Sequence, residues 1–265
     1  MPFRLIDLAA ALLLLLCLHP DRGTAADPPS QPDEHSTAIN TAIVPASKLE
    51  TDSYDWWARH NEILALKNRV NPQIVLIGDS ITHFWGGPPA ANHVNGPTSW
   101  QTAFGGLRVL NLGFGYDRTQ NVLWRLDHGE FDGLTPRWVV INIGTNNINS
   151  TSNARGNTPD EITDAIMAIC NRVKAKSPES HIILMAVFPR GNSPADPFRT
   201  RIASINEALS RAVATDPEIV YLDIGSQFFA PDGSIPRDIM GDGTHPTDKG
   251  YAIWEKALIA AGIQN

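Results

Sequence analysis

The chain has 265 residues, of which 28 are acidic and 21 basic, a formal net charge of -7, and 42% are hydrophobic. No Lys/Arg cluster supplies the positive footprint that nucleic-acid phosphates demand, which excludes nucleic acid as a natural partner. Only two cysteines are present, and Cys17 sits in a leader-like stretch, so Cys170 is the one thiol left after its removal. An internal disulfide is thereby excluded and stability must come from a core.

In chain order, Arg4 precedes an apolar stretch from Leu8 to Leu18, followed by small residues through Ala26. This is the composition of a secretory signal peptide, expected over residues 1–26. The stretch falls short of the about 20 apolar residues that a spanning helix requires. Leu16 before Cys17 also argues against a lipoprotein cleavage site. The mature protein is therefore expected to be soluble, secreted or periplasmic, with no stable membrane anchor. Residues 27–45, rich in Pro, Ser, Thr and Asp without hydrophobic periodicity, read as a flexible tether. Residues 46–265 fit one domain.

Within that domain short apolar runs alternate with longer amphipathic segments. Strands are expected at Gln73 to Ile77, Leu107 to Leu112, Trp138 to Ile143, His181 to Val187 and Ile219 to Asp223. Helices are expected at Asp55 to Arg69, Thr119 to His128, Pro159 to Lys176, Phe198 to Ala214 and Thr247 to Ala261. Thr158-Pro-Asp-Glu161 carries the capping pattern of a helix start. The alternation predicts an α/β fold, a three-layer α/β/α sandwich around a five-stranded parallel sheet. Cys170 and Trp56, Trp57, Trp100, Trp138 and Trp254 read as packing residues. Trp85, five residues after Ser80, is a candidate wall of a substrate pocket.

The chemistry-bearing residues fall in loops after the strands. Gly78-Asp79-Ser80 puts a hydroxyl where a parallel strand releases its chain, the usual place for a nucleophile in α/β enzymes. Asp79 reads as a support of that turn. Asp242 and His245, three residues apart in Asp-Gly-Thr-His-Pro246, offer a carboxylate and an imidazole, and with Ser80 they form the set of a Ser-His-Asp hydrolase. The loops Gly113-Phe-Gly-Tyr-Asp117 and Gly144-Thr-Asn-Asn147 can furnish N–H donors to an oxyanion. Arg118 and Arg125 read as capping groups or partners of carboxylates. The glycine pattern at 113–118 lacks the third glycine of a dinucleotide fingerprint, and no His-Glu-x-x-His metal spacing occurs.

Taken with Asn111-Leu-Gly-Phe-Gly115, Asn121-Val-Leu-Trp-Arg-Leu126, Gly144-Thr-Asn-Asn147 and Pro189-Arg-Gly191, the chain resembles an SGNH hydrolase, the superfamily of the GDSL esterases. It is especially similar to the catalytic subunits of platelet-activating-factor acetylhydrolase. The resemblance spans roughly residues 73 to 258 with the motifs in family order. It implies a flavodoxin-like SGNH fold, no cofactor and no metal. It further implies Ser80 as nucleophile, His245 as general base and then acid, and Asp242 as the carboxylate orienting the imidazole. The oxyanion hole would be the Ser80 N–H, the Asn146 side chain and one N–H of the Gly115-Tyr116 turn, with the choice between those two open. Tyr116 stands where relatives most often have glycine.

The expectation is a secreted serine esterase that removes short acyl groups, above all acetyl, from small-molecule or carbohydrate esters, and related subunits that pair allow a homodimer. A lipid-acyl or thioester hydrolase of the same fold and a non-catalytic carbohydrate-binding module are the alternatives.

Overall fold

The computed structural model describes residues 39–263, so the leader expected over 1–26 lies outside the described residues. The strands β1 (Ile74–Gly78), β2 (Val109–Gly113), β3 (Trp138–Asn142), β4 (His181–Met185) and β5 (Ile219–Leu222) form one parallel sheet in the order β2-β1-β3-β4-β5. The helices are α1 (Trp56–Val70), α2 (Ser80–His83), α3 (Pro97–Phe104), α4 (Thr119–Asp127), α5 (Pro159–Lys176), α6 (Pro197–Val213) and α7 (Asp248–Ala260). The α/β class and the five-stranded parallel sheet are as the alternation of segments predicts.

The sheet is buried on both faces, which is why its strands read as continuous apolar runs. Val75 and Ile77 point into a core shared with α1, α4, α5 and α6. Ile74 and Leu76 point the other way, into a second core with Phe104 of α3 and Tyr251, Trp254 and Leu258 of α7. Cys170 is fully buried in the first core, and burial pushes its thiol up to about 12. Trp57 departs from the packing expectation: it is 44% exposed on α1, with Trp56 beneath it.

Local rules account for the boundaries. Thr158 Oγ1 accepts the Glu161 N–H at 3.2 Å while the Glu161 carboxylate accepts the Thr158 N–H at 3.0 Å, the reciprocal box that starts α5. Asp55 caps α1 by accepting the N–H groups of Trp57 and Ala58. Helices α2 and α3 lie in a segment read as loop. The first has four residues and the second begins at Pro97 after Gly96 with no side-chain cap, so neither carries a periodic signal.

Of the tether expected over residues 27–45, residues 27–38 lie outside the described residues, and the rest is folded. Asn40 caps a 3-10 turn at Thr41–Ile43 with Ala42 buried. Ala42 O accepts the Thr119 hydroxyl at 2.9 Å, Asn157 donates to Thr41 Oγ1 at 2.9 Å, and the Ala46 N–H bonds Gln120 O at 3.1 Å. Residues 39–45 therefore belong to the folded body. Polar groups at the starts of α4 and α5 hold this strip by hydrogen bonds, a pattern that hydrophobic periodicity does not report.

Candidate active site

Gly78 of β1 stands opposite Gly113 of β2 and Asn142 of β3, so the three strands end level and their loops leave the sheet together. In the 2-1-3-4-5 order this is the switch point, where the crevice of a doubly wound sheet opens. A Cβ at Gly78 would lie 2.1 Å from Thr82 Oγ1 and 2.4 Å from Asn142 O, so only glycine lets the chain turn this tightly into α2. Asp79 caps α2 through Oδ1, which accepts the Ile81 N–H at 2.9 Å. Its Oδ2 has no partner, and complete burial pushes the carboxyl up to about 7. Asp79 thus supports the turn, as expected. Ser80 follows as the first residue of α2, and among the described residues its N–H has no acceptor.

His245 comes from the loop before α7, 165 residues further along, and its Nε2 lies 2.9 Å from Ser80 Oγ. Nδ1 lies 2.6 Å from Asp242 Oδ2. The other Asp242 oxygen accepts the N–H groups of Thr244 at 2.9 Å and His245 at 2.8 Å, an arrangement that locks the carboxylate to its own loop. Partial burial raises the Asp242 carboxyl, but the imidazole and the two amides outweigh it and hold the group below the usual carboxylate range. With the Nδ1 proton facing this carboxylate, Nε2 is the acceptor for the serine hydroxyl.

The turn after β2 separates the two candidate oxyanion donors. The Gly115 N–H is spent on His83 Nδ1 at 3.2 Å, so Gly115 drops out of the hole that the sequence left open. His83 is held neutral for that acceptor role: burial, then the nearby Arg59 and Arg125 charges, push it down to about 2. Tyr116 has φ 61, the left-handed conformation that glycine adopts without cost, and among the described residues its N–H has no acceptor. Asn146 of the 3-10 turn Thr145–Ile148 after β3 donates one Nδ2 proton to Asp117 O at 3.0 Å, leaving the second. Asn147, its neighbour, holds the start of α4 through bonds to Thr119, Gln120 and Asn157.

Ser80, Tyr116, Asn146 and His245 line one cleft of about 390 Å³, with Asp52, Phe84, Asn149, Arg190 and Thr244 completing its wall. Trp85 does not line it, and the pocket role expected for it is corrected. Its side chain is fully buried, stacked on Tyr251 and Trp254, with Nε1 donating to Ser99 Oγ at 3.0 Å. Phe84 takes that place, its ring centroid 5.3 Å from that of His245. Spacing offered the signal, since residues four apart on a helix share a face and residues five apart do not. No local pattern pointed to Asp52 or Thr244. Arg118 and Arg125 serve structure, as expected: Arg118 donates to the carbonyl of Asn149, and Arg125 pairs with Asp117 and Glu130.

A family-wide sequence profile described as "GDSL-like Lipase/Acylhydrolase family" matches residues 76–253, from within β1 into α7. The chain belongs to the GDSL-like lipase/acylhydrolase family. Among its relatives, the human platelet-activating factor acetylhydrolase IB subunit alpha1 is 32% identical over 203 residues, covering 77% of this chain and 80% of that one. The rat alpha2 subunit is 30% identical over 214 residues, covering 80% and 86%. Solved structures share the fold at lower identity. A GDSL-like lipase from Bacteroides thetaiotaomicron superposes with a TM-score of 0.58 at 20% identity, covering 77% of this chain and 98% of that one. The acetylxylan esterase Axe2 from Geobacillus stearothermophilus does so at 0.56 and 20%, covering 71% and 92%. This GDSL-family chain is accordingly an ester hydrolase, an SGNH fold with its cleft at the switch point of the sheet.

Proposed function

We propose that the protein is an exported serine esterase that removes acetyl groups, with Ser80, His245 and Asp242 as its catalytic triad. The observation that carries this reading is the unbroken relay from Asp242 Oδ2 through His245 to Ser80 Oγ, with steps of 2.6 and 2.9 Å, opening on the cleft. Ser80 Oγ attacks the ester carbonyl carbon while His245 Nε2 takes its proton, and Asp242 stabilises the imidazolium. The tetrahedral oxyanion accepts hydrogen bonds from the Ser80 and Tyr116 N–H groups and from Asn146 Nδ2, each donor worth about 10²–10³ in turnover. Collapse breaks the C–O bond to the alcohol, which leaves with the proton from His245. Water then attacks the acyl-enzyme, giving its proton to His245, and the acid departs from a regenerated serine.

Short acyl groups are favoured by the cleft wall, where Phe84 and Tyr116 are the only large apolar side chains among polar ones. A long acyl chain would find little apolar surface to bury. The leader composition supports export. Export, together with the acetylxylan esterase among the fold relatives, favours an acetylated carbohydrate as the alcohol half. Hydrolysis of p-nitrophenyl acetate, butyrate and octanoate tests the reading. Rates should fall steeply with chain length and vanish in Ser80→Ala. Turnover that survives the substitution, or rises toward octanoate, overturns it.

A further inference from the structure

The cleft contains a cation that the triad chemistry does not use. Arg190 follows β4 and lines the wall beside Thr244 and His245. Its guanidinium lies over the Phe198 ring, 4.2 Å from the centroid. Among the described residues no hydrogen bond or ion pair engages it; only its backbone carbonyl is used, accepting from Arg199 Nε at 2.8 Å. Burial pushes the guanidinium below its ordinary value, and Asp196, Asp79 and Asp242 oppose that from a distance, none close enough to pair. The Asp196 carboxylate is already committed to capping α6 through the Phe198 N–H. A half-buried guanidinium with its donor fork open to a substrate cleft is a recognition group for a planar oxyanion.

Topology says which half of the ester that oxyanion belongs to. Tyr116 and Asp52 stand on the β2 side of the cleft, with β1 and β3 between them and the β4 loop that bears Arg190. Arg190 shares its wall with His245, which protonates the departing alcohol. A group held by Arg190 is therefore carried by the alcohol. The remaining charges limit the ligand further, because Asp52 lines the same cleft and Asp242 is held ionised beside His245. A single negative charge meets less repulsion there than the near-double charge of a phosphate monoester.

Resting on the esterase reading above, we propose that Arg190 selects acetyl esters whose alcohol half bears a carboxylate, such as O-acetylated uronic acids. The guanidinium and the carboxylate form a bidentate pair over Phe198, and this contact is made before and during acyl transfer, so it acts mainly through KM.

The test compares one O-acetylated uronic acid methyl glycoside as its free acid and as its uncharged methyl ester, with acetate release as readout. The wild-type protein should prefer the free acid in kcat/KM by on the order of tenfold, chiefly through KM. R190Q should bring the ratio to about one, and R190K should retain part of it, since an ammonium supplies charge without the fork. A wild-type protein indifferent to the charge, or R190Q with the ratio intact, overturns the inference. A merely structural role for Arg190 would lower both substrates in proportion, which also overturns it. Should R190Q not fold, the wild-type ratio is read against salt: it should shrink toward one as NaCl rises, and a ratio unmoved by salt counts against the pair. Calorimetry with the deacetylated uronate and the Ser80→Ala protein reads the contact without turnover. Tighter binding of the free acid than of its methyl ester supports the pair even if no ester is cleaved, whereas equal binding overturns it while leaving the esterase reading standing.

Discussion

Two carboxylate clusters lie within a few residues of the same cleft and have opposite physical characters. At the rim, Asp242 pairs with His245 while its side chain is 57% exposed. Beneath the Tyr116 turn, Asp117 accepts from Trp56 Nε1 and Arg125 Nε, both at 2.8 Å. Arg125 continues to Glu130 at 2.6 Å, and Glu130 to His60 at 2.7 Å, all of them buried. Burial lowers Arg125, but Glu130 and Asp117 outweigh it and raise it, so its charge is permanent. In the mechanism proposed above the rim pair exchanges a proton within each turnover, and it sits near water. In the buried network burial pushes the Asp117 carboxyl up to about 7 against the lowering pull of Arg125, and the network anchors the turn whose Asp117 carbonyl aims Asn146. Proximity to a cleft therefore does not by itself give a carboxylate a catalytic role.

The difference can be tested by breaking each cluster separately. Asp242→Asn should lower kcat by about 10⁴-fold, because the imidazole loses its orienting acceptor, while thermal unfolding stays within a degree or two. A large loss of stability with modest loss of rate would reverse the roles assigned to the two clusters. Arg125→Met should do the opposite, leaving Asp117 and Glu130 buried without their cation and costing about 3–5 kcal/mol in urea unfolding. Unchanged stability would mean that the network is dispensable. Asn146→Ala sits between the two and should reduce kcat about 10²–10³-fold with KM little changed, as loss of one oxyanion donor does. A rise in KM at constant kcat would instead make Asn146 a substrate-binding group.

The smallest effect concerns Asp79. Its carboxyl keeps its proton up to about 7 in the folded chain against 3.8 in the reference state, so between those values the folded state binds more protons than the unfolded one. Stability is therefore lost as pH rises through that window, by on the order of a few kcal/mol at most. Asn caps a helix as well as Asp does and cannot ionise. Asp79→Asn should accordingly gain in melting temperature relative to wild type as pH goes from 4 to 7. A difference independent of pH would show that Asp79 is ionised throughout.

Much of the architecture was legible because it rests on local patterns. The five strands are short apolar runs buried on both faces, and α5 begins at a capping box whose four residues are contiguous. The Gly115 and Trp85 expectations failed for a common reason. Each depended on which way a group points after a turn of one residue, which is decided by partners elsewhere: His83 for the Gly115 N–H, and Ser99, Tyr251 and Trp254 for the Trp85 ring. The docking of residues 39–45 escaped notice because its bonds run to side chains at positions 119–157.

By itself the sequence determined the parallel α/β sheet and the family motifs and singled out Ser80, Asp242 and His245 as candidates, since these follow from periodicity and from residue types that short loops hold in place. Only the tertiary structure decided that, among the described residues, Tyr116 rather than Gly115 offers a free N–H, Phe84 rather than Trp85 faces the cleft, and Arg190 has no hydrogen-bond or ion-pair partner beside His245. The physical reason is that the direction of a donor and the vacancy of a cation are set by every neighbour in space, and most of those neighbours are distant in the chain.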